Sequence, residues 1–496
     1  MKSKTPRKTR RHHRYQSEQC NDSMTFQECE LAILRHAVDT NEKAKGQKLA
    51  SGDEIKKMIE IVEDFLVEKK CVCYGGTAIN NILPKYARFY DPEYEIPDYD
   101  FFSPDAIAHA KELADRFYEA GYADVEAKSG VHHGTYKIFV NFIPMADITS
   151  MNGDLFDSLS KEAISIAGIK YAPPNFLRMG MYLELSRPEG DISRWEKVFK
   201  RMALLNQYYP LKVNYDCLAI DFQRKMDENT DESAAIYILV RDALIEMGVV
   251  FFGGYAFSLY AKDMPDAGKR FTKKAPDFDV LSEDAEKTAI IVKERLTDAG
   301  YKKIRLITHE AIGEIIPEHI EIRYGDDIIA FVYKPIACHN YNTIRIGNQE
   351  VNVATIDTIM SFYLAFIYGN AAYYYVDRIM CMAKFLFELE QKNHLSQRGL
   401  LRRFGMKCVG KQATMESIRA EKTAKFTELK MKRGSKEYDE WFLKYTPDQD
   451  NSRFAKPLVL KEEKEEKEEK EERTKKNKSR SKKNKARSKI FGVLGL

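Results

Sequence analysis

The spacing of apolar residues predicts the same series of elements twice along the chain. Ile55, Met58, Ile59, Val62, Phe65 and Leu66 recur at helical spacing, and so do Ile236, Leu239, Val240, Leu244 and Met247. Each amphipathic helix leads into a short apolar strand, 71–74 or 249–252, then a Gly-Gly pair and a short helix. An extended loop, an Asp-x-Asp strand and a long helix follow, over 105–120 in the first copy and 284–299 in the second. Both long helices end in Gly-Tyr, glycine suiting the left-handed position beyond a helix end. Segments 134–150 and 318–334, rich in β-branched and aromatic residues, read as strands. The fold class is therefore α+β, with a mixed sheet and helices segregated from strands.

Landmarks keep the two copies in register. Gly75-Gly76 returns as Gly253-Gly254 after 178 residues, and Asp98-Tyr99-Asp100 returns as Asp277-Phe278-Asp279 after 179. The period is too long for a solenoid repeat and suits a duplicated domain. Between the copies, 191–209 reads as a basic amphipathic helix; beyond them, 355–392 reads as a buried helical pair and 412–445 as charged helices. The expected domains are a basic tail and lead-in (1–50), a first unit (51–190), a linking helix and connector (191–230), a second unit (231–395), charged helices (396–455) and a disordered tail (456–496).

Charge sharpens this division. The formal net charge is +4, yet residues 1–14 hold seven Lys/Arg and 473–489 hold ten, neither segment with an acid. The remainder is acidic, near −9 over residues 15–460. Basic tails of this kind suggest a nucleic-acid contact or an import signal, with a solubilising terminus as the alternative. No run approaches the ~18 apolar residues of a membrane span, so a soluble, unsecreted protein is expected. Eight cysteines in 496 residues do not read as a disulfide framework but as core thiols in a reducing cytosol, Cys71 and Cys73 lying on an apparent buried strand.

The candidate chemistry is phosphoryl transfer. Two aspartates at i and i+2 of a strand point to one face, so Asp98 and Asp100 can share divalent cations. Asp147, in an apolar strand where a lone charge is costly, is the expected third carboxylate. A Gly-Gly turn entering a helix lets backbone amides approach a triphosphate. Gly75, Gly76, Thr77 and Asn80 are thus the candidate nucleotide-binding group, with Lys170 and Arg178 as further triphosphate contacts or surface residues. In the second copy Phe331 falls opposite Asp147, leaving Asp277 and Asp279 as a partial site. The first unit is expected to be catalytic and the second a degenerate scaffold. His132-His133 reads as a surface pair at a strand end, and Tyr373-Tyr-Tyr375 as core packing in a helix.

Tyr74-Gly-Gly-Thr-Ala-Ile-Asn80, Pro97-Asp-Tyr-Asp-Phe-Phe102 and Arg194-Trp-Glu-Lys-Val-Phe-Lys-Arg201 with Leu204-Leu-Asn206 resemble the catalytic poly(A) polymerase of nucleocytoplasmic large DNA viruses, the poxvirus, asfarvirus and giant-virus group. The resemblance covers roughly residues 50–450. It implies a duplicated polymerase-beta-like nucleotidyltransferase fold and ATP-dependent extension of single-stranded RNA 3′ ends. It also implies two Mg2+ ions, with Mn2+ able to substitute, held by Asp98, Asp100 and Asp147. The poxvirus branch pairs with a processivity subunit and giant-virus relatives resemble homodimers, so the partner stays open. The location implied is the host cytoplasm, in the viral factory, and the virion. Within the same fold, uridylyl-, CCA-adding and oligoadenylate-synthesising enzymes share the carboxylates, and an RNA-binding scaffold with two dead sites is the reading from another class.

Overall fold

A computed structural model of the chain describes residues 17–21, 23–50, 52–91, 95–220, 231–270, 278–393 and 396–447. The basic tails and Asp277 lie outside the described residues. Helix α1 (Phe26–Ala50) leads into the first unit. That unit runs α2 (Asp53–Lys69), β1 (Val72–Tyr74), α3 (Gly75–Ile82), β2 (Tyr99–Ser103), α4 (Ala106–Glu119), β3 (Val125–Ser129), β4 (Thr135–Val140) and β5 (Ile143–Ser150). It closes with α5 (Gly153–Glu162), the hairpin β6 (Ile164–Ile166) and β7 (Ile169–Tyr171), and α6 (Pro174–Leu185). Helix α7 (Trp195–Tyr208) links it to the second unit.

The second unit repeats the plan with α8 (Asp231–Glu246), β8 (Val250–Phe251), α9 (Gly254–Tyr260), α10 (Asp266–Arg270), β9 (Phe278–Leu281) and α11 (Ala285–Asp298). Strands β10 (Ile304–His309), β11 (His319–Tyr324), β12 (Asp327–Tyr333), β13 (His339–Ile346) and β14 (Gln349–Ala354) follow, then α12 (Ile356–Phe366) and α13 (Val376–Asn393). The described residues end with β15 (Cys408–Val409), α14 (Met415–Leu429), α15 (Lys436–Phe442) and β16 (Lys444–Tyr445).

The duplication is visible in the strand orders. One sheet reads β16-β3-β4-β5-β2-β1-β7-β6 and the other β10-β11-β12-β9-β8-β14-β13-β15. Without β16 and β15, each strand of the first has its counterpart at the same position in the second. Helices α6 and α12 occupy equivalent places and pack against each other, so the units meet through matched surfaces. Across that junction Tyr182 donates to Glu390 at 2.7 Å, and on the far side Glu390 and Asp357 both pair with buried Arg403.

One face of the first sheet is sealed. Cys73, Phe101, Ile148, Ile138 and Ala127 are buried there, with α2 and α4 against them. The alternate residues form an open face, and the two-residue period of the strands puts the carboxylates on it. Tyr373 and Tyr374 do not lie in a helix as expected but in the turn between α12 and α13, where they still pack inward, whereas Tyr375 is exposed. His132 and His133 are surface residues, His133 stacking on Trp441.

The cysteine reading needs correction. Six of the eight pair as Cys20–Cys29, Cys217–Cys381 and Cys338–Cys408, leaving Cys71 and Cys73 as buried free thiols. Chain length bears on whether a core needs staples, not on which thiols the fold brings together. Two of the pairs span 164 and 70 positions. Burial pushes the Cys71 thiol up to about 12, so it is no nucleophile at neutral pH.

Candidate active site

The carboxylates gather at the centre of the open face. Parallel pairing of β2 with β5 sets Asp100 directly beside Asp147, and β1 places Tyr74 on the other side of Asp100. Asp98 sits two residues before Asp100, at the strand's entry, where the Thr77 hydroxyl donates to its carbonyl at 2.6 Å. Gly75 adopts φ +72°, and a Cβ there would stand 2.7 Å from Asp100 Oδ2. Glycine is thus required both for the left-handed turn and for the close approach.

Crowding these acids has an electrostatic signature. Confinement in the cleft, then Asp98 and Asp147, hold the Asp100 carboxyl up at about 7. Confinement and Asp147 also raise Asp98, although its side chain reaches solvent. Lys137, beside Asp147 on β4, offsets part of this through an ion pair. Three carboxylates gathered in one cleft, two of them held protonated more tightly than usual, are an oxygen-donor set suited to a hard divalent cation, which relieves their repulsion.

This gives a pH-dependent expectation. Asp100 binds its proton more tightly in the folded than in the unfolded chain, so its contribution to stability is present at low pH and is lost as pH rises towards 7. A divalent cation compensates only where the carboxylates are ionised. Mg2+ should therefore raise the melting temperature clearly at about pH 8 and far less at about pH 5.5, and Asp100→Asn should remove the rise. Equal shifts at both pH values, read by scanning calorimetry, would contradict the assignment.

Opposite the carboxylates stands the basic face of α7. Arg194, Lys197 and Arg201 lie at i, i+3 and i+7, while Val198, Met202 and Leu205 are buried on the adjoining face. A Cβ at Gly76 would meet Tyr90 Oη at 2.6 Å and the Arg201 guanidinium nitrogens at 2.9 Å. Arg201 donates to Tyr90 Oη at 2.5 Å and lies over the Phe89 and Tyr90 rings. Burial, then Arg201 and Arg194, lower the Lys197 ammonium. Arg194 is paired with Glu184 at 3.1 Å, which leaves Lys197 and Arg201 as the cations across from the carboxylate cluster, suited to a polyphosphate bridging the two. These three residues were visible only as a basic helix; their spacing was the available signal.

The expected nucleotide-binding set is corrected in part. Arg178 is fully buried, donating to Asn206, Asn175 and the Tyr209 carbonyl, and holds α6 to the end of α7. It does not face a ligand. Asn80 is likewise turned inward, its Oδ1 accepting from the Phe89 and Tyr90 amides at 2.9 Å, so it shapes the loop that carries Tyr90. Lys170 shares the open face through its register with Val72 and donates to Ser160 at 2.6 Å.

The second unit provides a control within the molecule. Phe331 pairs with Asp279 as Asp147 pairs with Asp100. The Phe331 ring is fully buried among His309, His319 and Tyr373, and Asp279 is enclosed with Tyr373 and Tyr374 around a cavity of only about 30 Å³.

A duplicated sheet with a Gly-Gly turn beside a carboxylate cluster is a nucleotidyltransferase-type architecture. Residues 60–191 match the family described as Poly(A) polymerase catalytic subunit. A protein assigned as that subunit in African swine fever virus (isolate Pig/Kenya/KEN-50/1950) is 33% identical over 170 residues, covering 33% of this chain and 35% of its own. The corresponding assignment in Acanthamoeba polyphaga mimivirus is 34% identical over 179 residues, covering 35% of this chain and 29% of its own. Over this segment the chain is similar to viral poly(A) polymerase catalytic subunits, and the aligned part spans about a third of their length. The fold as a whole is similar to the crystal structure of the Megavirus polyadenylate synthase, with a TM-score of 0.71 at 20% identity, covering 88% of this chain and 89% of that one.

Proposed function

We propose that the chain is a polynucleotide adenylyltransferase that adds AMP from ATP to RNA 3′ ends without a template. The observation that carries this is the pairing of Asp100 with Asp147 across from the Arg194–Lys197–Arg201 face, with the Gly75-Gly76 turn between them. ATP as donor and an RNA 3′ end as acceptor follow from the names of the relatives, and the host-cytoplasmic location rests on the resemblance alone. No helix among the described residues is long and apolar enough to cross a membrane.

In this reading Asp98, Asp100 and Asp147 would hold two Mg2+ ions, for which Mn2+ could substitute; the chemistry supplied there would be neutralisation of triphosphate charge and a lowered pKa for the attacking 3′-hydroxyl. Arg201, steadied by Tyr90, and Lys197 orient the triphosphate. Thr77 fixes the strand entry that carries Asp98. Lys137 steadies Asp147 and moderates the charge of the cluster. The test is incubation of the full chain with an RNA primer, Mg2+ and each ribonucleoside triphosphate separately. Homopolymer growth with ATP alone is expected. Growth with UTP instead, or no growth with any nucleotide, would overturn the reading.

A further inference from the structure

One row of residues crosses the whole open face. Strand pairing sets Tyr74, Asp100, Asp147, Lys137, Lys128 and Lys444 side by side, one from each of β1, β2, β5, β4, β3 and β16. Three lysines therefore follow the carboxylates without interruption to the sheet edge. At the ~4.8 Å spacing of strands, Lys444 stands about 14 Å from Asp147 along the sheet. Like charges directly opposite one another on paired strands are destabilising, so such a row is expected only where an anion repays it. Lys137 is held by Asp147 and Lys128 by Glu126 at 2.9 Å, whereas Lys444 has no carboxylate partner among the described residues.

The row ends in a groove of about 1040 Å³ along the edge of β3, lined by Lys128, Lys444, Arg433, Phe139, Phe142 and Phe442 among others. Of its acidic side chains, Glu126 is taken by Lys128 and Asp439 by Lys111, which leaves Asp124 against Lys444 and Arg433. Lys128 lies 4.1 Å over the Phe139 ring. Phe142 is a second, independent pointer. It occupies the β4–β5 turn at φ +65°, where glycine is favoured, and remains 87% exposed. A bulky residue held in that conformation with its ring in solvent is costly and gains nothing from packing.

We propose that the lysine row and this groove form the track of the acceptor strand: single-stranded RNA passes over Lys444, Lys128 and Lys137 to reach the carboxylates, with bases stacking on Phe139 and Phe142. The inference rests on the proposed function. It places the two substrates on opposite sides of Asp100 and Asp147, the triphosphate towards α7 and the primer towards β3, as in-line displacement demands. Cationic side chains paired with aromatic platforms are the usual means of holding single strands without sequence preference.

The test uses the full chain and a fluorescein-labelled single-stranded oligoribonucleotide with a free 3′-hydroxyl. Lys128→Ala combined with Lys444→Ala should weaken RNA binding about tenfold and make the slope of log affinity against log salt shallower by about 1.4, two contacts at ~0.7 each. The primer KM should rise while the ATP KM keeps its wild-type value, and Lys128→Arg with Lys444→Arg should restore binding. Phe142→Ala should weaken binding with the salt slope retained, because stacking releases no counterion. If wild-type protein extends the oligoribonucleotide but the double alanine variant binds it with unchanged affinity and slope, the track is wrong while the adenylyltransferase reading stands. A wild-type protein that neither binds nor extends RNA sinks both.

Discussion

An Asp100→Ala protein is expected to fold, to melt no lower than wild type in the absence of divalent cation, and to add nucleotide at least about a thousandfold more slowly, the scale of losing a group that stabilises developing charge. The two halves of this expectation have one cause. Confinement in the cleft, then the neighbouring Asp98 and Asp147, push the Asp100 carboxyl up to about 7, so its charge is unwelcome there. Removing it relieves that repulsion while stripping the site of its central oxygen donor. Single-turnover extension of a labelled primer reads the rate and calorimetry reads the fold. Near-normal extension by the folded variant would refute the assignment of the site.

The second large effect should come from a single methyl group. Gly75→Ala places a Cβ 2.7 Å from Asp100 Oδ2 in a backbone at φ +72°. The left-handed conformation costs about 1–2 kcal/mol, and displacement of Asp100 or of the turn by the order of an ångström costs roughly a hundredfold in rate. Gly253→Ala is the matched control. Its Cβ would fall 1.9 Å from Asp279 Oδ2, a worse clash, but in a unit whose third carboxylate is replaced by Phe331. That variant should lose stability and keep its turnover per folded molecule. Equal loss of turnover from both substitutions would mean that the second unit takes part in chemistry.

Much of this was legible in the amino-acid order because the decisive features are local. Gly-Gly and Asp-x-Asp sit within one strand-turn-helix each, and the helices over 105–120 and 284–299 differ from α4 and α11 by a residue at either end. The opposition of Phe331 to Asp147 came from matching two strands and agrees with the register of β12 on β9. What escaped depends on distant contacts. Arg178, placed by its position after the third carboxylate as either a triphosphate contact or a surface residue, is neither; only the fold shows Asn175, Asn206 and Tyr209 enclosing it. Arg201 was passed over because nothing local says that α7 crosses the Gly75-Gly76 turn. The hairpin β6–β7 is too short to announce itself, and β16 has two residues.

That last strand has a consequence for how the protein comes into being. The first sheet begins with residues near 72 yet receives its edge from Lys444 and Tyr445, after the whole second unit has been made. At ribosomal speeds of about 5–20 residues per second, β3 waits some 15–60 seconds for its neighbour. Until then the lysine row stops at Lys128, and β3 presents an unpaired strand edge to other chains. Completion of the edge thus becomes a timing signal: the proposed track gains its last lysine only after the whole second unit has been made.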